Sequence, residues 1–335
     1  MTHILTPRNL FLGLVLLLLL TAGQVAQADL IRLRYANFPP ASTFPCIQME
    51  RWIEEVHAIT DGKVHVDSFP AGALLDARSM LRGVMRGQAD IGCFSTAYYA
   101  GAFPLSSVFE LPLGFRSSEE ASRILLEVLD EFQPQDLSKV KILTAFTSPP
   151  AQVMSSRPVT SLSDLQGLSL RASGILADEV ALLGGKPVSM PQSEAPDAIQ
   201  RGAVDGIFSS LDVVRDLNYA ESCRYGLITD MSVYPFVVVM NRRVWNSLPP
   251  EIREKLDALA MPHAIWTGKY VDAHAREALE WGRKTYSIDY RILDEAEHAE
   301  ALRKVAPLIK AWKEKTEQQG LPASAILESI RAKLQ

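Results

Sequence analysis

The chain has 335 residues, 47% of them apolar and 22% charged, with 19 Gly, 20 Pro and a formal net charge of −5. That composition excludes a disordered, collagen-like or coiled-coil protein. Apart from Leu10 to Leu20, no stretch approaches the roughly 18 apolar residues needed to cross a bilayer, which excludes a polytopic membrane protein.

At the N-terminus, His3 and Arg8 precede the apolar run Leu10 to Leu20, and Ala26-Gln27-Ala28 follows it. This order predicts a secretory signal peptide over residues 1–28, cleaved after Ala28, with an uncleaved N-terminal anchor as the competing reading. No Cys stands just after the run, so nothing marks a lipoprotein. Removing 28 of the 335 residues leaves 307; only Arg8 is lost from the charges, so 33 basic residues face 39 acidic ones and the net charge is −6. A mildly acidic exported body offers no electrostatic case for nucleic acid or anionic lipid, and about 300 residues suit two lobes of roughly 150. Cys46, Cys93 and Cys223 permit at most one intramolecular bridge; the alternative is three partly buried thiols, and the spacing selects no pair.

The segment Leu30 to Tyr35 alternates apolar and basic residues and predicts a strand, followed by a loop over Asn37 to Thr43. Ile47, Trp52, Ile53, Val56 and Ile59 recur at helical spacing until Thr60-Asp61-Gly62 ends them. Val64 to Asp67 returns to strand periodicity, Leu81, Val84 and Met85 mark a second helix, and Ala89 to Gly92 reads as a short buried strand. Strands alternating with helices argue for an α/β protein with largely parallel sheets. The pattern recurs: Arg86-Gly87-Gln88-Ala89-Asp90 and Arg201-Gly202-Ala203-Val204-Asp205 each close a helix and lead straight into a strand. Each Gly occupies the position where a helix end calls for a left-handed residue. Either two common turns coincide, or the chain holds two similar lobes.

Pro134 and then Ser148-Pro149-Pro150 interrupt the pattern and suit a first crossover between lobes, and Tyr234 to Met240 suits a return strand. Pro250 to Tyr286 is helical in composition, a span of about 50 Å at 1.5 Å per residue. Pro262 and Gly268 interrupt it, so one long bent helix or two abutting helices are expected to bridge the lobes, with Pro262 placed to tune the hinge. Residues 294–333 read as amphipathic helices forming an outer layer.

Signatures of catalysis are missing: there is no H-E-x-x-H, C-x-x-C, G-x-S-x-G, Walker loop or G-x-G-x-x-G. The histidines at 3, 57, 65, 263, 274 and 298 show no metal-ligand spacing, so neither metal nor cofactor is expected. Asp272 and His274 read as part of a solvated helix face, and Ser138-Lys139-Val140-Lys141 as a chance S-x-x-K match at a Lys-rich strand entry. One residue stands out at a strand end, where open α/β sheets bind ligands: Arg171 closes Gly167-Leu168-Ser169-Leu170-Arg171 before a new helix. Its guanidinium can offer a planar fork to a carboxylate, or it can form a surface ion pair.

These residues resemble the periplasmic solute-binding subunits of tripartite ATP-independent (TRAP) transporters, the DctP-like group, through nearly all of the chain after residue 28. The resemblance is carried by Phe69-Pro70-Ala71-Gly72, Arg86-Gly87-Gln88-Ala89-Asp90, Arg157-Pro158-Val159, Asp164 to Arg171, Leu183-Gly184-Gly185-Lys186-Pro187, Glu194 with Ala198 to Gly206, and Trp245 to Pro249. It implies a two-lobe clamshell that closes on a small organic acid in the periplasm and delivers it to a membrane permease driven by an ion gradient; a monomer is expected. It also implies that Arg171 pairs with the ligand carboxylate. Two departures alter the expected site. Thr147 to Ala151 stands where many members carry a second Arg, and Ile207-Phe208-Ser209-Ser210 stands where many carry Gln-Glu-Asn.

Phe38, Phe44, Tyr98, Tyr99, Phe208, Tyr234 and Phe236 fall on loops or strand ends around the expected cleft. Aromatic walls, one Arg and a few hydroxyls suit a monocarboxylate with an apolar or aromatic body. Ser95 and Thr96 are the expected hydroxyl donors of the first lobe, and Ser209 lies at the altered motif. Glu194 either accepts from a ligand hydroxyl or amine or holds a neighbouring loop. Lobe I is expected over 29–148 plus 237–276, and lobe II over 149–236 plus 277–335, the C-terminal helices packing across both. A sensory binding protein of the same fold, presenting ligand to a receptor, and a periplasmic enzyme reusing the cleft are the competing readings.

Overall fold

The structure, a computed structural model, describes residues 30–99 and 101–334; the signal-peptide reading of residues 1–28 lies outside them. The first sheet contains β1 (Ile31–Ala36), β2 (Val64–Phe69), β3 (Ile91–Ser95), β4 (Val140–Thr147) and β10 (Pro235–Asn241), in the order β2-β1-β3-β10-β4. The second contains β5 (Gln152–Ser155), β6 (Ser169–Arg171), β7 (Lys186–Val188), β8 (Gly206–Ser209), β9 (Tyr225–Ile228) and β11 (Asp289–Ile292), in the order β11-β9-β5-β8-β6-β7. The helices are α1 (Phe44–Ile59), α2 (Met80–Met85), α3 (Ser118–Phe132), α4 (Ile175–Leu182), α5 (Ala195–Gln200), α6 (Val213–Asp216), α7 (Arg242–Ser247), α8 (Pro250–Tyr286), α9 (Glu295–Val305), α10 (Pro307–Gln318) and α11 (Ala323–Lys333).

Local sequence accounts for these elements. In β1, Leu33 and Tyr35 are buried while Arg32 is exposed, the period-two signature of a strand with one face on a core. Helix α1 carries Pro45 in its first turn, where a missing N–H costs nothing, and buries Met49, Trp52 and Val56. Trp52 meets Tyr35 edge to face at 5.8 Å, joining helix to sheet.

The antiparallel strand in each sheet is the one laid down just after the chain arrives from the other lobe: β5 follows the crossing at 148–151, and β10 follows the crossing at 229–234. The two crossings run side by side. Ser148 N donates to Tyr234 O (2.9 Å), Ala151 N to Ser232 O (2.8 Å), and Gln152 Nε2 to Asp230 Oδ1 (2.7 Å). In the first two, backbone groups of one crossing satisfy those of the other, and the third adds a side-chain tie between them.

The third crossing is α8, a single helix of 37 residues despite Pro262. Its first part lies on the first lobe: fully buried His263 sits 2.7 Å from Glu55 Oε2 and 3.0 Å from Gln48 Oε1, and Thr144 Oγ1 donates to Ala260 O (2.9 Å). Gly268 permits close approach rather than a break, since a Cβ there would lie 2.5 Å from Glu119 Cα. Asp272 accepts from Ser118 N and Glu119 N, capping α3, and His274 pairs with Asp216 of the second lobe. Both side chains are therefore committed to tertiary contacts, which corrects their reading as a solvated face. At the C-terminus, Trp312 Nε1 donates to Pro104 O (2.8 Å) and Ser329 Oγ to Glu131 Oε2 (2.8 Å) on the first lobe, while α9 and α10 pack on α4 of the second. Cys46, Cys93 and Cys223 are buried free thiols.

The internal repeat has a structural basis. Gly87 (φ +77°) and Gly202 (φ +68°) both take the left-handed conformation after their helices. The Asp that follows each then clamps the parallel neighbour. Asp90 N donates to Arg34 O (3.1 Å) while Asp90 Oδ2 accepts from Arg34 N (2.8 Å). Asp205 N donates to Ser169 O (2.7 Å) while Asp205 Oδ2 accepts from Ser169 N (2.8 Å). The same reciprocal pair sets the strand entry in both sheets.

Candidate functional site

Between its neighbours β7 and β8, strand β6 ends on Arg171 at the junction of the two lobes. The side chain is 1% exposed, although a guanidinium keeps its charge under all ordinary conditions. Its Nε and Nη2 donate to Met190 O (2.9 and 2.8 Å), Nη2 also reaches Ser173 Oγ (3.0 Å), and Nη1 donates to Gln192 Oε1. From the opposite lobe, Tyr98 brings its hydroxyl to 3.3 Å from Nη2 and accepts from Gln192 N (3.2 Å). Every partner is a neutral oxygen; among the described residues Arg171 forms no ion pair with a carboxylate.

Arg171 opens onto a cavity of about 50 Å³ between the lobes. The first lobe supplies an aromatic wall: Phe38 stacks on Phe236 (6.5 Å) and meets Tyr98 edge to face (5.5 Å), and Phe44 meets Phe236 at 5.3 Å. Ser95 lies at the end of β3, and Ser148 on the first crossing. Tyr234, on the second crossing, holds its ring 5.9 Å from the guanidinium carbon and donates through its hydroxyl to Phe208 O (3.1 Å). Burial drives the Tyr234 hydroxyl well above its ordinary pKa, so it remains a donor. From the second lobe come Gln192, Ser209, Ser210 and Asp212. Asp212 is fully buried, and neither carboxyl oxygen has a hydrogen-bond partner. Burial pushes its pKa up to about 6.

Of the residues expected from the sequence, Arg171, Phe38, Ser95, Tyr98, Ser209 and Tyr234 meet at this cavity, together with Phe44 and Phe236. Thr96, Phe208 and Glu194 do not. Thr96 turns away from Ser95 into a separate cavity of about 530 Å³, also lined by Tyr99, and donates to Glu110 Oε1 (2.8 Å). Phe208 is fully buried in the core: neighbouring side chains of β8 face opposite sides of the sheet, so Ser209 at the cavity sends Phe208 away from it. Glu194 is exposed on the short turn Gln192–Glu194. The sequence reading missed Ser148, Gln192, Ser210 and Asp212. The polar run Ser209-Ser210-Leu211-Asp212 beyond a strand end was a usable signal for two of them; Gln192 carried none.

A further contact ties the lobes together beside the site. Glu110, buried on the first lobe, accepts at Oε2 from Ile175 N at the start of α4 (2.9 Å). Burial, offset in part by that N–H and by Thr96, raises its pKa to about 7. Ser42 Oγ likewise reaches Asp216 O (3.3 Å) across the lobes.

Comparison with known proteins agrees with this architecture. Residues 35–316 match the sequence profile of DctP, bacterial extracellular solute-binding protein family 7. A TRAP periplasmic solute-binding protein from Desulfovibrio salexigens, solved as an open complex, is 49% identical, with 91% of this chain and 95% of that one covered at a TM-score of 0.83. A TRAP solute-binding protein from Rhodoferax ferrireducens, solved with copurified benzoate, is 24% identical over 90% of this chain and 97% of that one, at a TM-score of 0.86. The 2,3-diketo-L-gulonate-binding periplasmic protein YiaO of Escherichia coli is 26% identical over 217 residues, 63% of this chain and 66% of that one. The first curated relatives are thus spanned over about half to two thirds of their length. By the profile match over residues 35–316 and the likeness to the Desulfovibrio protein, the chain belongs to the DctP family of bacterial extracellular solute-binding proteins and has the two-lobe fold of their TRAP-type periplasmic members.

Proposed function

We propose that this protein captures a small organic acid between its lobes and delivers it to a TRAP permease in the membrane. The observation that carries the reading is Arg171, a permanently charged group buried among neutral oxygens. A buried cation left without an anionic partner costs about 3–5 kcal/mol, so a ligand carboxylate that brings the missing charge gains most of that back. The aromatic wall of Phe38, Phe44 and Phe236 favours a monocarboxylate with an apolar or aromatic body. Relatives of the fold have been solved with benzoate, 3-hydroxybenzoate and mandelate, which supports that class.

In this reading the protein is exported to the periplasm on its leader over residues 1–28 and acts there as a monomeric binding protein rather than an enzyme. No helix among the described residues is long and apolar enough to cross a membrane. The moving bodies are 29–148 with 237–276, and 149–236 with 277–335. Ligand shifts the balance toward the closed form only through its greater affinity for that form, by binding Arg171 on one lobe and Tyr98 and the Phe wall on the other. A thermal-shift screen of monocarboxylates, aromatic acids, keto acids, dicarboxylates and sugar acids tests this. At a hundredfold excess over Kd, a bound acid stabilises the native state by about 2.7 kcal/mol, and the shift is lost in Arg171→Ala. A folded protein that responds to none of these acids, or an Arg171→Ala variant that responds as the wild type does, overturns the proposal.

A further inference from the structure

The cavity that holds Arg171 has a second pole. Asp212 lines it from the segment beyond β8, fully buried, and neither of its oxygens is engaged. The ordinary structural reason for an Asp at this place is absent: it occupies the N-cap position of α6 yet makes no capping hydrogen bond. The charged neighbours do not pair with it either. The His274 imidazole is taken by Asp216, with Nε2 2.8 Å from Oδ1, and the Arg171 guanidinium is held by Met190, Ser173, Gln192 and Tyr98. Ser210 lies near enough to ease the carboxylate but stands outside hydrogen-bonding geometry. A buried, unengaged carboxyl group is costly, and a protein tolerates one where something else supplies its donor.

We propose that Asp212 accepts a hydrogen bond from a hydroxyl or ammonium group on the body of the acid whose carboxylate Arg171 holds, so that the ligand is a hydroxy- or amino-substituted carboxylic acid. The inference rests on the acid-capture reading and deepens it. Arg171 and Asp212 then sort ligands by separate features: the cation selects for the carboxylate, and the acid selects for a donor on the same molecule. A plain acid of the same shape satisfies only the first and leaves Asp212 buried without a partner, which is how a site built to hydrogen-bond a substrate group discriminates most strongly.

The test is calorimetric titration of the purified protein with three trios that differ only in the substituent: propionate, lactate and alanine; phenylacetate, mandelate and phenylglycine; benzoate, 3-hydroxybenzoate and 3-(aminomethyl)benzoate. In at least one trio a donor-bearing acid is expected to bind about tenfold or more tighter than its plain counterpart, the scale of a hydrogen bond to a charged group. In Asp212→Leu, similar in shape and unable to accept, that ratio should fall to about threefold or less, and the ligand-free variant should melt above the wild type. Asp212→Asn, measured alongside, should lose most of any preference for the ammonium member. Ratios near one in the wild type across all trios, or a preference that survives in both variants, overturn the role of Asp212 while leaving acid capture standing. No binding by any member or by any acid of the wider screen, or binding undiminished in Arg171→Ala, overturns acid capture itself and this inference with it; binding only by an acid that carries no hydroxyl or amino donor overturns this inference alone.

Discussion

Asp272 and His274, two residues apart on α8, are bound to different lobes: Asp272 accepts from Ser118 N (2.8 Å) and Glu119 N (3.0 Å), and His274 Nε2 lies 2.8 Å from Asp216 Oδ1. Positions i and i+2 of a helix point about 200° apart, so one turn of α8 can hold both. Within three residues, therefore, the helix side chains pass from contacts on α3 to a contact on α6. Asp272→Ala leaves two first-turn N–H groups of α3 without their acceptor. It is expected to cost about 1 kcal/mol and roughly 2–4 °C in Tm, measured by calorimetry. A variant melting with the wild type would show that water caps α3 equally well.

The helix interruption at Pro262 looks, in the sequence, like a hinge. In the structure Ala260 and His263 on either side of it bond to Thr144, Glu55 and Gln48, all on the first lobe. Pro262→Ala should therefore leave lobe closure unchanged, as followed by small-angle scattering with and without a bound acid. A changed closure amplitude would return Pro262 to the hinge.

Gly174 stands at a close approach of the two lobes. Its φ of +63° and ψ of −146° belong to a region that is essentially glycine-only, and a Cβ would lie 2.0 Å from Glu110 Oε2 and 3.0 Å from Ala97 Cα on the other lobe. Gly174→Ala is expected to block closure, raising the Kd for any bound acid at least tenfold, about 1.4 kcal/mol, while scattering stays at the open value on ligand addition. Normal closure in this variant would mean that Glu110 moves aside at little cost.

Stability should rise on mild acidification. Burial lifts Glu110 to about 7, Glu179 to about 8 and Asp212 to about 6. The folded protein holds these protons where the unfolded chain has already released them. Each group thus contributes stability that is complete below the ordinary carboxyl value and is lost as pH rises through the folded value. His274 acts in the same direction: its hydrogen bond to Asp216 raises its pKa, and that stabilisation is present below the ordinary imidazole value and lost above the raised one. Asp164, held low by the Thr160 N–H, opposes this only in strong acid. Tm is therefore expected to climb by roughly 5–10 °C from pH 8.5 to 5.5, with Glu110→Gln and Glu179→Gln each flattening the profile. A flat or falling Tm over that range would contradict these assignments.

The fold was legible in the sequence because its signals are local. Period-two alternation in β1, helical spacing in α1 and the Arg-Gly turns at 86–87 and 201–202 each reflect forces acting within a few residues. Cavity membership is not local in that sense. Ser95 and Thr96, or Phe208 and Ser209, are adjacent in sequence, and which of each pair faces the Arg171 cavity depends on strand phase relative to the other lobe. Gln192 reaches Arg171 from 21 positions away through a turn that has no periodic pattern. Asp272 and His274 looked solvated because their partners, Ser118 and Asp216, are brought to them only by tertiary folding.

On the acid-capture reading, the amide of Gln192 seated on the Arg171 guanidinium makes capture an exchange rather than an addition. An incoming ligand has to displace an oxygen that the protein already provides at high effective concentration. A neutral ester or amide of matching shape offers only the same kind of oxygen and has little to win against it. A carboxylate brings a full negative charge and two oxygens that match the guanidinium fork, neither of which the neutral amide oxygen supplies, and so prevails. On the acid-capture reading, this internal competitor lets the protein pass over the uncharged derivatives of its own ligand.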